Sequence, residues 1–109
     1  MMMAGWLTAD GNSASIIDII QRAKLYVAAG GTIYVGTDSL LTNQRCVLVS
    51  TICFYGARET NGGFYYYKKE VLNARHFTTL RARIMHEVQN TINLALYLHE
   101  NNVDRLRCT

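Results

Sequence analysis

The chain has no proline, only three cysteines and no long apolar run, and each shortage excludes something. Without proline there is no sign of a rigid linker, and 109 residues suffice for one domain, 1–109, and not for two. Cys46, Cys53 and Cys108 are odd in number and no pair has CxxC spacing. A disulfide framework or a zinc site is therefore not expected, and a reducing cytoplasm is the expected location. The opening MMMAGWLTADG lacks the basic flank and apolar stretch of a signal peptide. No run reaches the roughly 18 apolar residues of a membrane span, so no membrane partner is expected. His76, His86 and His99 show no i, i+4 metal-ligand spacing. Gly30-Gly31 is not followed by the Gly-Lys-Ser/Thr of a phosphate loop. Charge imbalance is small as well: the net charge of +3 permits contact with a polyanion without arguing for one.

What is present is an ordinary globular balance, 50% apolar and 17% charged, which predicts a packed core. Residues 1–12 read as an irregular lead with a turn at Asp10-Gly11-Asn12. Ser15 with Asp18 three residues on marks a helix start. Apolar residues at Ile16, Ile17, Ile20, Ala23, Val27 and Ala28 then give one helical face, ended by Gly30-Gly31. Thr32 to Thr37 reads as a central buried strand, followed by a turn around Thr42-Asn43-Gln44. Arg45 to Tyr55 is the longest strand-like run, and Gly56 to Gly63 a hairpin loop. Phe64 to Leu72 is a third strand whose closing charges suit a sheet edge. From Thr78 to about Glu100 the period becomes helical, with a stripe at Leu80, Ile84, Val88, Ile92 and Ala95, widened by Met85, Leu94, Leu96 and Leu98, and Asn101-Asn102 as the stop. Val103 to Thr109 can begin a further strand, returning parallel to the first.

Two carboxylates stand out. Asp38, in Gly36-Thr37-Asp38-Ser39, lies at the end of the predicted central strand, where a carboxylate must be hydrogen-bonded, protonated or bound to a cation. Its plainer reading is a residue that opens the following turn. Glu87 lies seven residues from both Leu80 and Leu94, so it projects toward the sheet, unless it is a flank residue paired with Arg83. Two such groups offer hard oxygens to a divalent cation. Tyr65, Tyr66 and Tyr67 with Lys68 and Lys69 fit either stacking on single-stranded nucleic acid or plain alternation of strand aromatics up and down.

The chain resembles the ribonuclease H-like YkuK family of bacteria and phages. The resemblance runs from Trp6 to Leu98 and rests on several segments. These are Trp6-Leu7-Thr8-Ala9-Asp10-Gly11, then Ile33-Tyr34-Val35-Gly36-Thr37-Asp38-Ser39, and Phe64-Tyr65-Tyr66-Tyr67 with Lys69-Glu70. Leu80-Arg81-Ala82-Arg83-Ile84 and Glu87-Val88 complete it. It implies an α/β fold with a ribonuclease H-like mixed sheet: a three-stranded antiparallel meander, a long helix and an N-terminal helix. It also implies that Asp38 and Glu87 are catalytic metal ligands for Mg²⁺ or Mn²⁺. Ser39, Tyr66 and Lys68 are the expected nucleic-acid contacts. The family continues past the long helix into a strand with another acid, so the C-terminal part of the fold is expected to be missing after Thr109. Asp104 precedes that strand and is not assigned the missing role. The expected function is a metal-dependent nuclease, inactive or weak in this form; the alternative is a noncatalytic nucleic-acid-binding or assembly module. An open sheet edge would suit a homo-oligomer.

Overall fold

A computed structural model describes residues 4–42, 45–57, 63–73 and 79–109. Asn43, Gln44, the Arg58–Gly62 stretch of the expected hairpin loop, and His76 lie outside the described residues. Three long strands form the predicted meander: β3 (Thr32–Thr42), β4 (Arg45–Tyr55) and β5 (Phe64–Asn73), preceded by β1 (Trp6–Thr8), β2 (Ser13–Ala14) and α1 (Ile16–Ala28). After β5 come α2 (Leu80–Glu100) and β6 (Leu106–Cys108). The six strands make one mixed sheet in the order β2-β1-β5-β4-β3-β6.

Some expectations need correction here. The first residues are not an irregular lead: β1 and β2 form a hairpin about Gly11, whose φ of 85° suits glycine. Because Trp6 is apolar and almost wholly buried, β1 docks on β5, pairing Leu7 with Tyr67. β5 is therefore interior to the sheet where β1 pairs with it, at Tyr66 and Tyr67, while its charged closing half has no strand on that side among the described residues. Likewise β3 does not stop before Asp38; it continues to Thr42, paired with β4 in one unbroken register. On its other side β6 pairs with it in parallel, Ile33 opposite Leu106, as the crossover required.

Alternation along the strands sorts the sheet into two unlike faces. Ile33, Val35, Ile52, Phe54 and Tyr66 point to one face and join Ile16, Ile19, Ile20 and Ala23 of α1 and Leu94 and Leu98 of α2 in a single core. Both helices thus cover the same side. Tyr26, Phe54, Phe64 and Tyr66 form its aromatic part, with centroids 4.5–5.7 Å apart for the directly packed pairs. Arg22 lies 5.2 Å from the Phe64 centroid and donates a 2.7 Å bond to the Tyr66 hydroxyl. The other face carries Tyr34, Thr51, Cys53, Tyr65 and Tyr67, and none of these belongs to the core cluster.

The helices begin and end for local reasons. Ser15 caps α1 by accepting from the Ile17 N–H, and Gly30, at φ 95°, turns the chain out. The buried positions are Ile16, Ile19, Ile20, Ala23 and Tyr26, while Ile17 is exposed, so the face is rotated from the one predicted. Thr79 caps α2 by accepting from the Ala82 N–H, and Asn102, at φ 67°, ends it. The predicted stripe of α2 is the larger departure. Leu80, Ile84, Val88 and Ile92 are exposed, while Ala95 of the stripe and Leu94 and Leu98 of its widened margin pack on the core; the other sheet-facing residues are Arg83, Glu87, Asn90 and Thr91. The reason lies in β3: its second half presents Thr37 and Ser39 to the helix, so polar residues of α2 answer them there.

Candidate metal and nucleic-acid site

The polar seam between β3 and α2 is built around Ser39. Its backbone N–H and carbonyl point away from β4, on the side where β6 lies, as the bonds of Ile33 to Arg105 and of Val35 to Thr109, the residues flanking β6, show. β6 pairs only as far as Val35, so β3 runs on past it with a free edge among the described residues. At that edge the Asp38 carboxylate accepts the Ser39 N–H at 2.9 Å. The Ser39 hydroxyl in turn donates to the Glu87 carboxylate. Asp38 springs from the opposite face of the sheet, but its carboxylate turns to the edge. One serine linking both acids holds their oxygens within about 10 Å of each other at most. Arg83 completes the group, with Nε 3.3 Å from the Ser39 hydroxyl and Nη2 3.4 Å from its carbonyl oxygen.

One turn further along α2, the Asn90 amide donates to the Thr37 hydroxyl at 2.8 Å and the Ser50 hydroxyl at 2.7 Å. These two hydroxyls face each other across β3 and β4, so a single side chain ties the helix to both strands. The lone glycine of the motif has a steric purpose. A Cβ on Gly36 would collide with the Thr109 side chain, so the room expected beside Asp38 is taken by the end of the chain.

Two cavities flank the seam. One of about 340 Å³ is lined by Trp6, Ser50, Lys68, Glu70, His86 and Asn90 with Leu94 at its floor. Burial there pushes the Lys68 amine below the ordinary lysine range, and the Glu70 charge partly offsets this. The other, about 170 Å³, opens beside Glu87 between α2 and the end of β6.

The expected site residues thus fall into distinct places. Asp38 and Glu87 each bond Ser39, but not from one face as expected: Asp38 springs from the face opposite α2 and takes the backbone N–H, while Glu87 lies on the α2 side and takes the hydroxyl. Lys68 lies on the helix-covered face, in the larger cavity. Tyr66 is a correction: it is 4% exposed, with its ring in the aromatic core, and cannot stack on a ligand. Strand alternation puts its neighbours Tyr65 and Tyr67 on the opposite face instead, which no helix covers among the described residues. His86 and His99 are exposed and sit in no acidic cluster. Asn90, Thr37 and Ser50 went unrecognised in the sequence, and Arg83 was read only as a partner for Glu87; the usable signal was the run of polar residues at Arg83, Glu87 and Asn90, three to four apart.

For a divalent cation the donor types fit: two carboxylates with the serine oxygens are hard ligands of the kind Mg²⁺ and Mn²⁺ prefer. The number is small. Among the described residues no group of three His, Cys, Asp or Glu converges. Residues 14–108 match a family model described as Ribonuclease H-like. No curated protein and no solved structure matches the chain. The mixed sheet, the long helix packed across β3 and the match over most of the sequence agree, and the chain belongs to the ribonuclease H-like YkuK family.

Proposed function

We propose that this chain binds nucleic acid and acts on its phosphodiester backbone with the help of Mg²⁺ or Mn²⁺ held by Asp38 and Glu87. The observation that carries the reading is the junction at Ser39. Two carboxylates, from a strand and from the helix packed on it, bond one residue at a sheet edge that no further strand pairs among the described residues. A divalent ion there would supply Lewis-acid charge next to a phosphate. The chain's own residues would do the rest. Asp38 is exposed; Glu87 is half-buried and oriented by the Ser39 hydroxyl; Arg83 holds a guanidinium on the Ser39 hydroxyl and carbonyl, suited to a phosphate oxygen. Two carboxylates balance only one divalent charge, so binding and cleavage by these residues alone are expected to be weak.

The test is calorimetric titration with Mn²⁺ and Mg²⁺ beside a nuclease assay, on the parent, Asp38→Asn and Glu87→Gln. Weak heats that vanish in both variants support the site. Cleavage that survives Asp38→Asn would place the chemistry elsewhere. A second reading, a noncatalytic nucleic-acid-binding or assembly module, is favoured by one observation: Arg83 and Ser39 already satisfy the seam internally. Parent protein that takes up no metal yet binds nucleic acid would select it.

A further inference from the structure

We infer that the uncovered face of the sheet is a stacking platform for single-stranded nucleic acid, separate from the Asp38–Glu87 edge; this rests on the nucleic-acid reading above. Tyr34 and Tyr65 both flank Cys53 in register, one on each side, so they stand two strand spacings, roughly 10 Å, apart. Tyr67 lies two residues along the strand from Tyr65, its ring centroid 6.2 Å away. Tyr65 is 43% exposed, and Tyr55 at the same end of the sheet is 60% exposed. Among the described residues no helix covers these rings, since α1 and α2 both pack on the other side.

Charge selects the occupant. Arg107 is in register with Tyr34 and exposed, and Lys69 follows Tyr67 on the same face. The described acid that springs from this face is Asp38, and its carboxylate is turned to the edge by the Ser39 N–H. Glu70 belongs to the opposite face. Aromatic rings between two cations suit an extended strand whose bases stack while its phosphates follow the basic rims. A duplex hides its base faces, so single strands are preferred. An apolar protein partner would draw no advantage from the cations.

The experiment is fluorescence anisotropy of labelled oligo(dT) and oligo(U), with a duplex of equal length as control, in EDTA so that no metal contributes. Stacking on aromatic rings predicts that Tyr65→Ala and Tyr67→Ala each weaken single-strand binding by about 5- to 150-fold. Tyr65→Phe, which keeps the ring, should stay within about twofold of the parent. Arg107→Ala should lower the slope of log affinity against log salt by about one. Thermal melts of each variant show that it is folded. Binding by the parent that ignores both tyrosine changes, or that prefers duplex, overturns the platform. So does sedimentation showing that Tyr65→Ala dissolves a dimer without changing oligonucleotide affinity. Because EDTA removes the metal, failure of the Asp38–Glu87 site leaves this outcome unchanged, and the reverse holds for the metal titration.

Discussion

Replacing Asn90 by alanine removes a side chain that bonds α2 to both β3 and β4 beside the site. Each hydrogen bond contributes about 0.5–1.5 kcal/mol net, so the pair is worth about 1–3 kcal/mol. Two effects reduce the loss. Thr37 and Ser50 face each other and their hydroxyls can rotate to bond together once the amide is gone. Alanine is also the better helix former, by about 0.5 kcal/mol. The expected destabilisation is about 1–2 kcal/mol, which lowers the melting temperature of a domain of this size by roughly 5–15 °C. Urea denaturation followed by far-UV circular dichroism measures it. The stronger form is a double-mutant cycle with Ser50→Ala, where the direct bond predicts a coupling energy above about 0.5 kcal/mol. Additive losses, with coupling below about 0.3 kcal/mol, would refute the bridge and with it the idea that polar residues lock this half of the helix.

Ile84→Lys should change stability by less than about 0.5 kcal/mol, because Ile84 is exposed, whereas Leu94→Ala should cost about 2–5 kcal/mol; equal losses would restore the sequence-predicted face of α2. Burial lowers the Lys68 amine below its unfolded value, so the fold is penalised while lysine is charged and the penalty fades as pH rises toward the unfolded value. Lys68→Met should therefore melt higher than the parent at pH 7, with a gain that shrinks by pH 10; a gain that grows with pH would contradict this. Burial also raises the Cys53 thiol, so at pH 8 a thiol reagent should modify exposed Cys108 first, Cys53 slowly and buried Cys46 only on unfolding, as mass spectrometry at timed intervals would show.

The sequence showed the meander because its strands are long, β-branched and separated by turn residues, and those are local signals. It showed Ser15 and Asn101-Asn102 for the same reason. It hid β1, because three residues carry no period and only burial of Trp6 on β5 makes them a strand. The orientation of α2 was misread because spacing finds the most apolar arc of a helix, not the arc that faces its neighbour. Here the neighbour is half polar, and the apolar row from Leu80 to Leu96 is left outside. Asp38 and Glu87 were legible as an unusual pair, yet Ser39 as their common partner was not, since that depends on where β6 stops. Tyr66 was chosen over Tyr65 and Tyr67 although alternation separates them; the pleat was visible, but which side the helices would take was not.

The pairing distances along the chain also carry a kinetic consequence. The β3–β4 and β4–β5 contacts join near neighbours in sequence, while Leu7 meets Tyr67 and Ile33 meets Leu106 only after long loops close. Local contacts form early because they ask little loop-closure entropy, so the meander is the expected nucleus and β1 and β6 dock late. Ile52→Val should then slow refolding in stopped-flow measurements, while Leu106→Ala should leave the refolding rate nearly unchanged and speed unfolding. On that order of events Asp38, Ser39 and Glu87 meet as soon as α2 settles on the meander, before the β6 strand arrives beside them.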